Sequence, residues 1–170
     1  IPGYLQDADN QWFGLSQRAR ILFYAKNDVT DPPLTYAELA DPKYKGMVCS
    51  RSSTNAYSQT ILAAIIEHEG EDAARDWAAG VVANFARAPQ GGDTDQLRGV
   101  ECEISMSNTY YFGRALRTNV KGVSDSIDMF GWVFPDQGGN GAHMNLSGGG
   151  EAAHAPNYDN AVRFLEYLAS

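Results

Sequence analysis

The sequence predicts an α/β fold built on a mixed, largely parallel sheet flanked by helices. Two observations carry this. Short runs of strand composition alternate with segments whose apolar residues recur at helical spacing. Turn-forming clusters separate them. After a polar, turn-rich start from Ile1 to Gln11, the stretch Trp12 to Tyr24 carries Ile21-Leu22-Phe23-Tyr24, a strand composition. An Asp- and Pro-rich loop, Asn27 to Pro33, leads to Thr35 and Glu38, spaced as a capping box that opens a short helix over Tyr36 to Ala40. Asp41-Pro42 stops it. Gly46 to Cys49 reads as a buried strand running into Ser50 to Asn55, rich in N-cap residues. A helix is expected over Ala56 to Glu69, with Ile61, Leu62, Ile65 and Ile66 inward and Gly70 as its stop. A second, Glu71 to Phe85, turns Ala74, Trp77, Ala78, Val81, Val82 and Phe85 to one side.

Beyond the loop Pro89 to Asp93, Asp93 or Thr94 is the expected cap of a short helix. Glu101 to Ser107 alternates apolar and polar residues, which is strand periodicity. Arg114 to Arg117 reads as helix, and Trp132 to Phe134 as a strand closed by Pro135. Gly138 to Gly150 is a glycine-rich stretch. Asn157 to Leu168 is a last helix with Ala161, Phe164, Leu165 and Leu168 as its buried stripe.

Composition narrows the function classes. The 170 residues are 44% hydrophobic and 20% charged, a globular composition, which argues against a disordered or fibrous chain. The longest apolar run, Ile61 to Ile66, is far short of a membrane span, so no membrane insertion is expected. A formal net charge of -8 repels phosphate backbones and argues against nucleic acid. Two cysteines, Cys49 and Cys102, exclude a disulfide-dense scaffold and a multi-cysteine zinc site. Each falls on an expected strand, and they are either one bridge in an oxidising compartment or two buried core residues.

The unusual chemistry lies at Tyr110-Tyr111, placed by this reading in the loop beyond the carboxyl end of a strand, where open α/β sheets put ligands. A phenol ionises near pH ~10, so a phenolate at neutral pH needs a strong local positive charge. A trivalent iron ion supplies that, and phenolate is a known iron ligand. The alternative is two amphipathic packing residues with hydrogen-bonded hydroxyls. Gly91-Gly92-Asp93 reads as an anion nest or, with more weight, an ordinary turn. The glycine-rich stretch matches neither a P-loop nor a dinucleotide fingerprint. His68, His143 and His154 are scattered, and no Gly-x-Ser-x-Gly elbow or Ser/His/Asp set occurs, so no enzyme is expected.

Asn108-Thr109-Tyr110-Tyr111-Phe112-Gly113-Arg114 resembles the twin-tyrosine motif of the ferric iron-binding proteins that serve iron(III) ABC transporters. Trp12 to Arg20, Leu39 to Pro42, Cys49 to Asn55, Asn84 to Arg87 and Gln90 to Asp93 resemble that family in the same order, so the likeness covers essentially the whole chain. The resemblance implies a type II periplasmic-binding-protein-like fold, a periplasmic location, capture of Fe(III) and its delivery to an ABC transporter permease. It implies Tyr57, Tyr110 and Tyr111 as metal ligands, with Arg18, Arg114 and Asn108 as candidates for holding a synergistic anion such as carbonate or phosphate. It also implies that residues 1–23 are a piece of a first lobe with a hinge strand, 24–134 the second lobe, and 135–170 the return crossing and another piece of the first. Ligands from a missing first-lobe segment would complete the site. Two other readings stand beside it. One is a solute-binding protein for an anion or polyamine, with the tyrosines as a hydrogen-bonding and cation–π box. The other is a non-haem iron enzyme, which would need His and carboxylate ligands.

Overall fold

The computed structural model describes residues 1–97, 102–119 and 123–170. Glu101, the expected start of a strand, lies outside them. The chain divides into two compact units, Ile1–Arg18 with Met144–Ser170, and Ala19–His143.

In the first unit, the opening residues of strand β1 (Phe13–Ala25) are followed much later by β5 (Met144–Gly149), which pairs with β1. The sequence reads this stretch only as glycine-rich. Glycine is a poor strand former, but here it is what permits the pairing. A Cβ on Gly148 would lie 2.7 Å from the Phe13 carbonyl oxygen, and one on Gly150 would collide with that of Gln11. The final helix α5 (Tyr158–Ala169) forms where its periodicity predicts. Its expected buried stripe does not: Phe164 and Leu168 are exposed, and no residue of α5 is fully buried. Ala161, Val162 and Leu165 are half-buried, and Leu165 packs closely against Gly149.

The second unit is organised around the remainder of β1. The sheet order is β2 (Val48–Cys49), β3 (Ile104–Asn108), β1, β4 (Phe130–Val133). β2 and β3 are parallel, and β1 is antiparallel to both β3 and β4. The sheet is mixed, as expected, but not largely parallel in its pairings. The physical reason is connectivity. β2 and β3 are joined across helices α1 (Ala56–Glu69), α2 (Glu71–Ala83) and α3 (Asp93–Gln96), as a parallel crossover requires. β1 reaches β2 through loops and short 3-10 turns, so it is free to lie between β3 and β4 with the opposite sense.

Strand parity in β1 separates two cores. Leu22, opposite Met106, belongs to a cluster with Ile104, Ile61, Ile65, Ala74 and Val81, which α1 and α2 contribute. Ile21 and Phe23 belong to a second with Leu97, Ala115, Ile127 and Phe130. α1 begins and ends where expected. α2 stops at Ala83 rather than Phe85; the Asn84 N–H still donates to the Gly80 carbonyl, and its side-chain amide donates to the carbonyls of Leu39 (2.9 Å) and Asp41 (2.7 Å). Val82, expected inward, is exposed. One half of the Thr35–Glu38 box forms: the Glu38 N–H donates to Thr35 Oγ1, while the Glu38 carboxylate accepts the Leu34 N–H at 2.6 Å, and the turn that follows, Ala37–Ala40, is 3-10. Cys49 and Cys102 are bridged, their Cα atoms 5.5 Å apart.

Candidate metal centre

Each of the three tyrosines sits in the first turn of a helix, and each helix start has a local cause. Asn55 adopts an extended conformation and its Oδ1 accepts the Tyr57 N–H at 3.0 Å, which begins α1 with Tyr57 in its first turn. At the other arm, Asn108 is the last residue of β3 and, still extended, the N-cap of α4 (Thr109–Arg117). Tyr110 and Tyr111 are therefore helical, not in a loop as the sequence reading had them. No loop residue is needed between strand and helix, because Asn108 serves both. The helical turn also answers how neighbours can share one site. Their rings lie 4.0 Å apart, centroid to centroid, tilted by 31°.

The three phenols meet. The Tyr110 hydroxyl is hydrogen-bonded within the group to Tyr111 and to Tyr57. Burial first, then the hydrogen bond and charge of Tyr111, then the charge and hydrogen bond of Tyr57, push the Tyr110 phenol well above its ordinary value. A cation placed against the Tyr110 hydroxyl would favour its phenolate form. Tyr110 is still 43% exposed, so the group is open to an incoming ion. Both helices direct their amino ends to the group, and a helix amino terminus favours negative charge.

Beneath Tyr57 lies a charged cluster that sequence reading missed. Arg20 and Asp93 form an ion pair with neither side chain exposed. The other Asp93 oxygen takes Arg51 at 3.3 Å, and Asp93 Oδ2 also accepts the Asn108 backbone N–H at 3.0 Å. The guanidinium carbons of Arg20 and Arg51 stand 5.6 and 5.5 Å from the centre of the Tyr57 ring, within cation–π range. Burial pulls the Arg20 guanidinium below its ordinary value, opposed by the charge and hydrogen bond of Asp93. Asp93 is thus a buried ion-pair partner rather than a cap. Gly92 is the N-cap of α3, with its N–H donating to Asp95 Oδ2 at 2.8 Å, so Gly91-Gly92-Asp93 is a turn closed by its own helix.

Of the other candidates, Asn108 is fully buried, and neither its Oδ1 nor its Nδ2 has a hydrogen-bond partner among the described residues. Arg114 is exposed, one turn beyond Tyr110 on α4. Arg18 belongs to the first unit, where it donates to Ser147 Oγ at 2.8 Å. Among the described residues, no three His, Cys, Asp or Glu side chains come together as a metal site, so the donor set in view is phenolic. No helix of the described residues is long and apolar enough to cross a membrane.

Comparison with known proteins adds an independent line. The family model described as bacterial extracellular solute-binding protein matches residues 3–162. "Iron uptake protein A1" of Synechocystis sp. is 44% identical, the match covering 100% of this chain and 48% of that protein. A "Major ferric iron-binding protein" of Neisseria meningitidis is 27% identical over 96% of this chain and 49% of its own length. Among solved structures, a Trichodesmium protein in complex with iron and citrate ligands superposes with a TM-score of 0.92 at 43% identity, covering 100% of this chain and 55% of that one. A ferric binding protein from Campylobacter jejuni gives 0.93 at 38%, again covering 100% and 55%. The chain spans about half the length of the proteins it matches.

Proposed function

The chain belongs to the bacterial extracellular solute-binding proteins, and we propose that it captures ferric iron outside the cytoplasm, with the phenolates of Tyr57, Tyr110 and Tyr111 as donors, for delivery to an ABC transporter permease. The observation that carries this reading is the convergence of three phenols from two helix starts on one partly exposed point. Hard phenolate oxygens suit a hard trivalent ion, whose charge favours the phenolate form. The relatives' names and the iron in the Trichodesmium structure point the same way. The site acts by binding and release, and no nucleophile or acid–base pair is assigned to it.

The three phenols leave other coordination positions to an anion, to water or to donors beyond these 170 residues. Asn108 supports an anion beside the ion, since its buried side-chain amide has no protein partner among the described residues. Arg114, one turn beyond Tyr110, is the second candidate to balance such an anion. In this reading the unit Ala19–His143 is the greater part of the second lobe of a two-lobed binding protein, and the location is periplasmic.

Titration with Fe(III), followed in the visible range, tests the reading. Coordination by phenolate produces a phenolate-to-iron charge-transfer band, and Tyr110→Phe removes most of it while the fold is retained, since that ring is 43% exposed. Unchanged absorbance in Tyr110→Phe would reduce the pair to packing residues. With donors still to be supplied from outside this chain, the 170 residues alone are expected to bind iron weakly. Tight one-to-one binding by this chain would show that the three tyrosines suffice.

A further inference from the structure

The Arg20–Asp93 pair poses a physical question. A fully buried ion pair gains little over apolar packing, because desolvating both charges offsets their attraction. This pair also leaves Arg20 Nε and Nη2 buried without hydrogen-bond acceptors among the described residues. What those N–H groups do have beside them is the face of the Tyr57 ring, 5.6 Å from the guanidinium carbon to its centre. Arg51 approaches the same ring at 5.5 Å and is ion-paired, without a hydrogen bond, to the second oxygen of the same carboxylate at 3.3 Å. Two cations on one ring would repel each other unless a shared anion stood between them, and Asp93 is that anion. Its Oδ2 also accepts the Asn108 N–H, two residues before Tyr110. One carboxylate therefore grips three segments, namely β1 through Arg20, the approach to α1 through Arg51, and the β3–α4 junction through Asn108. The last two carry Tyr57 and the Tyr110–Tyr111 pair.

We propose that Asp93 is a positioning residue for the tyrosine group. Through Arg20 and Arg51 it clamps the ring of Tyr57, and through the Asn108 amide it fixes the start of α4, so that the three phenol oxygens converge on one ion. Part of the proposal rests on the iron reading above. The clamp itself does not, and the test separates the two.

Three variants of the full chain decide it. Arg51→Gln leaves the buried Arg20–Asp93 pair intact and changes a side chain already 18% exposed, so it is expected to fold and melt like the parent. Arg51→Lys keeps the charge but loses the planar fork. Asp93→Asn removes the shared anion. In metal-free protein carrying ring-labelled tyrosine, the Tyr57 resonances are expected to shift and broaden in Arg51→Gln and Asp93→Asn. Arg51→Lys should recover part of the parent spectrum. On titration with Fe(III) against a citrate competitor, Arg51→Gln is expected to lose about tenfold to a hundredfold in affinity, the usual effect of removing a group that orients a metal ligand. Tyr57 resonances unchanged in folded Arg51→Gln would overturn the proposal, and so would altered resonances with iron affinity within twofold of the parent. Should Asp93→Asn fail to fold, the Arg51 variants still decide. Absence of any iron band in the parent would overturn the iron reading instead, leaving the resonance arm to judge the clamp.

Discussion

Opening the Cys49–Cys102 bridge should cost the second unit a large share of its stability. The two cysteines are 53 residues apart in sequence, and the segment between them contains all of α1, α2 and α3. In the chain-entropy account, a loop of that length lowers the entropy of the unfolded state by about 14 cal/mol/K, worth ~4 kcal/mol at 25 °C. Domains of this size are stable by only about 5–15 kcal/mol in total. Both cysteines are almost fully buried, at 1% and 2% exposure, so thiols left after reduction stay in a packed setting. The assay is urea unfolding of oxidised and reduced protein. Tryptophan fluorescence is a suitable probe, because the Trp77 indole donates to the Tyr36 carbonyl inside this unit. The midpoint should fall, and the slope should rise, since the uncrosslinked chain exposes more surface on unfolding. A difference under ~1 kcal/mol would refute the loop-entropy argument. It would mean that the unfolded chain already keeps β2 and β3 close.

Asn55→Ala should destabilise the unit by ~1 kcal/mol through loss of the cap on the Tyr57 N–H, measured by urea unfolding. It should also weaken Fe(III) binding, because that cap sets where α1 begins; a variant with lower stability and unaltered iron affinity would separate the two roles. Asp136→Asn should raise the melting temperature slightly at neutral pH. Burial, with the charges of Glu69 and Glu38, raises the Asp136 carboxyl, and the Tyr36 backbone N–H donating to it only partly offsets this. The folded state therefore binds the proton more tightly than the unfolded state, and stability falls as pH rises through the raised value. Asparagine escapes that penalty, can accept the same N–H, and tolerates the positive φ of 58° at this position. The gain should vanish as pH falls below the ordinary aspartate value of 3.8, and a gain that persisted in acid would assign it to the backbone alone.

The legibility of the site followed the range of the interactions that build it. Tyr110 and Tyr111 stand out because they are adjacent, and the cap at Asn55 is readable because it acts over two residues. The elements of α1 and α2 were equally plain, since helical periodicity is a local signal. β5 was hidden because it depends on close backbone approach at Gly148, with a second at Gly150 just past its end, and glycine is a poor strand former. The stripe of α5 was misjudged for a different reason. An amphipathic pattern says which face can be buried, not whether the unit supplies something to bury it.

Arg20 offered a partial signal that went unused. It interrupts Ala19 and Ile21-Leu22-Phe23 in a strand where every neighbour is buried, so its charge had to meet a counter-charge. The sequence holds 21 Asp and Glu residues, and nothing local selects Asp93, 73 positions away. Only the antiparallel register does so: it sets Arg20 opposite Asn108, and Asp93 grips both. The tyrosine donors could thus be named from the chain, whereas the clamp that aims one of them exists only once β1 and β3 have paired. Folding of this sheet and formation of the site are on that account one event, and perturbations of the β1–β3 register should disturb Tyr57 before they disturb Tyr110–Tyr111, whose contact lies within a single helical turn.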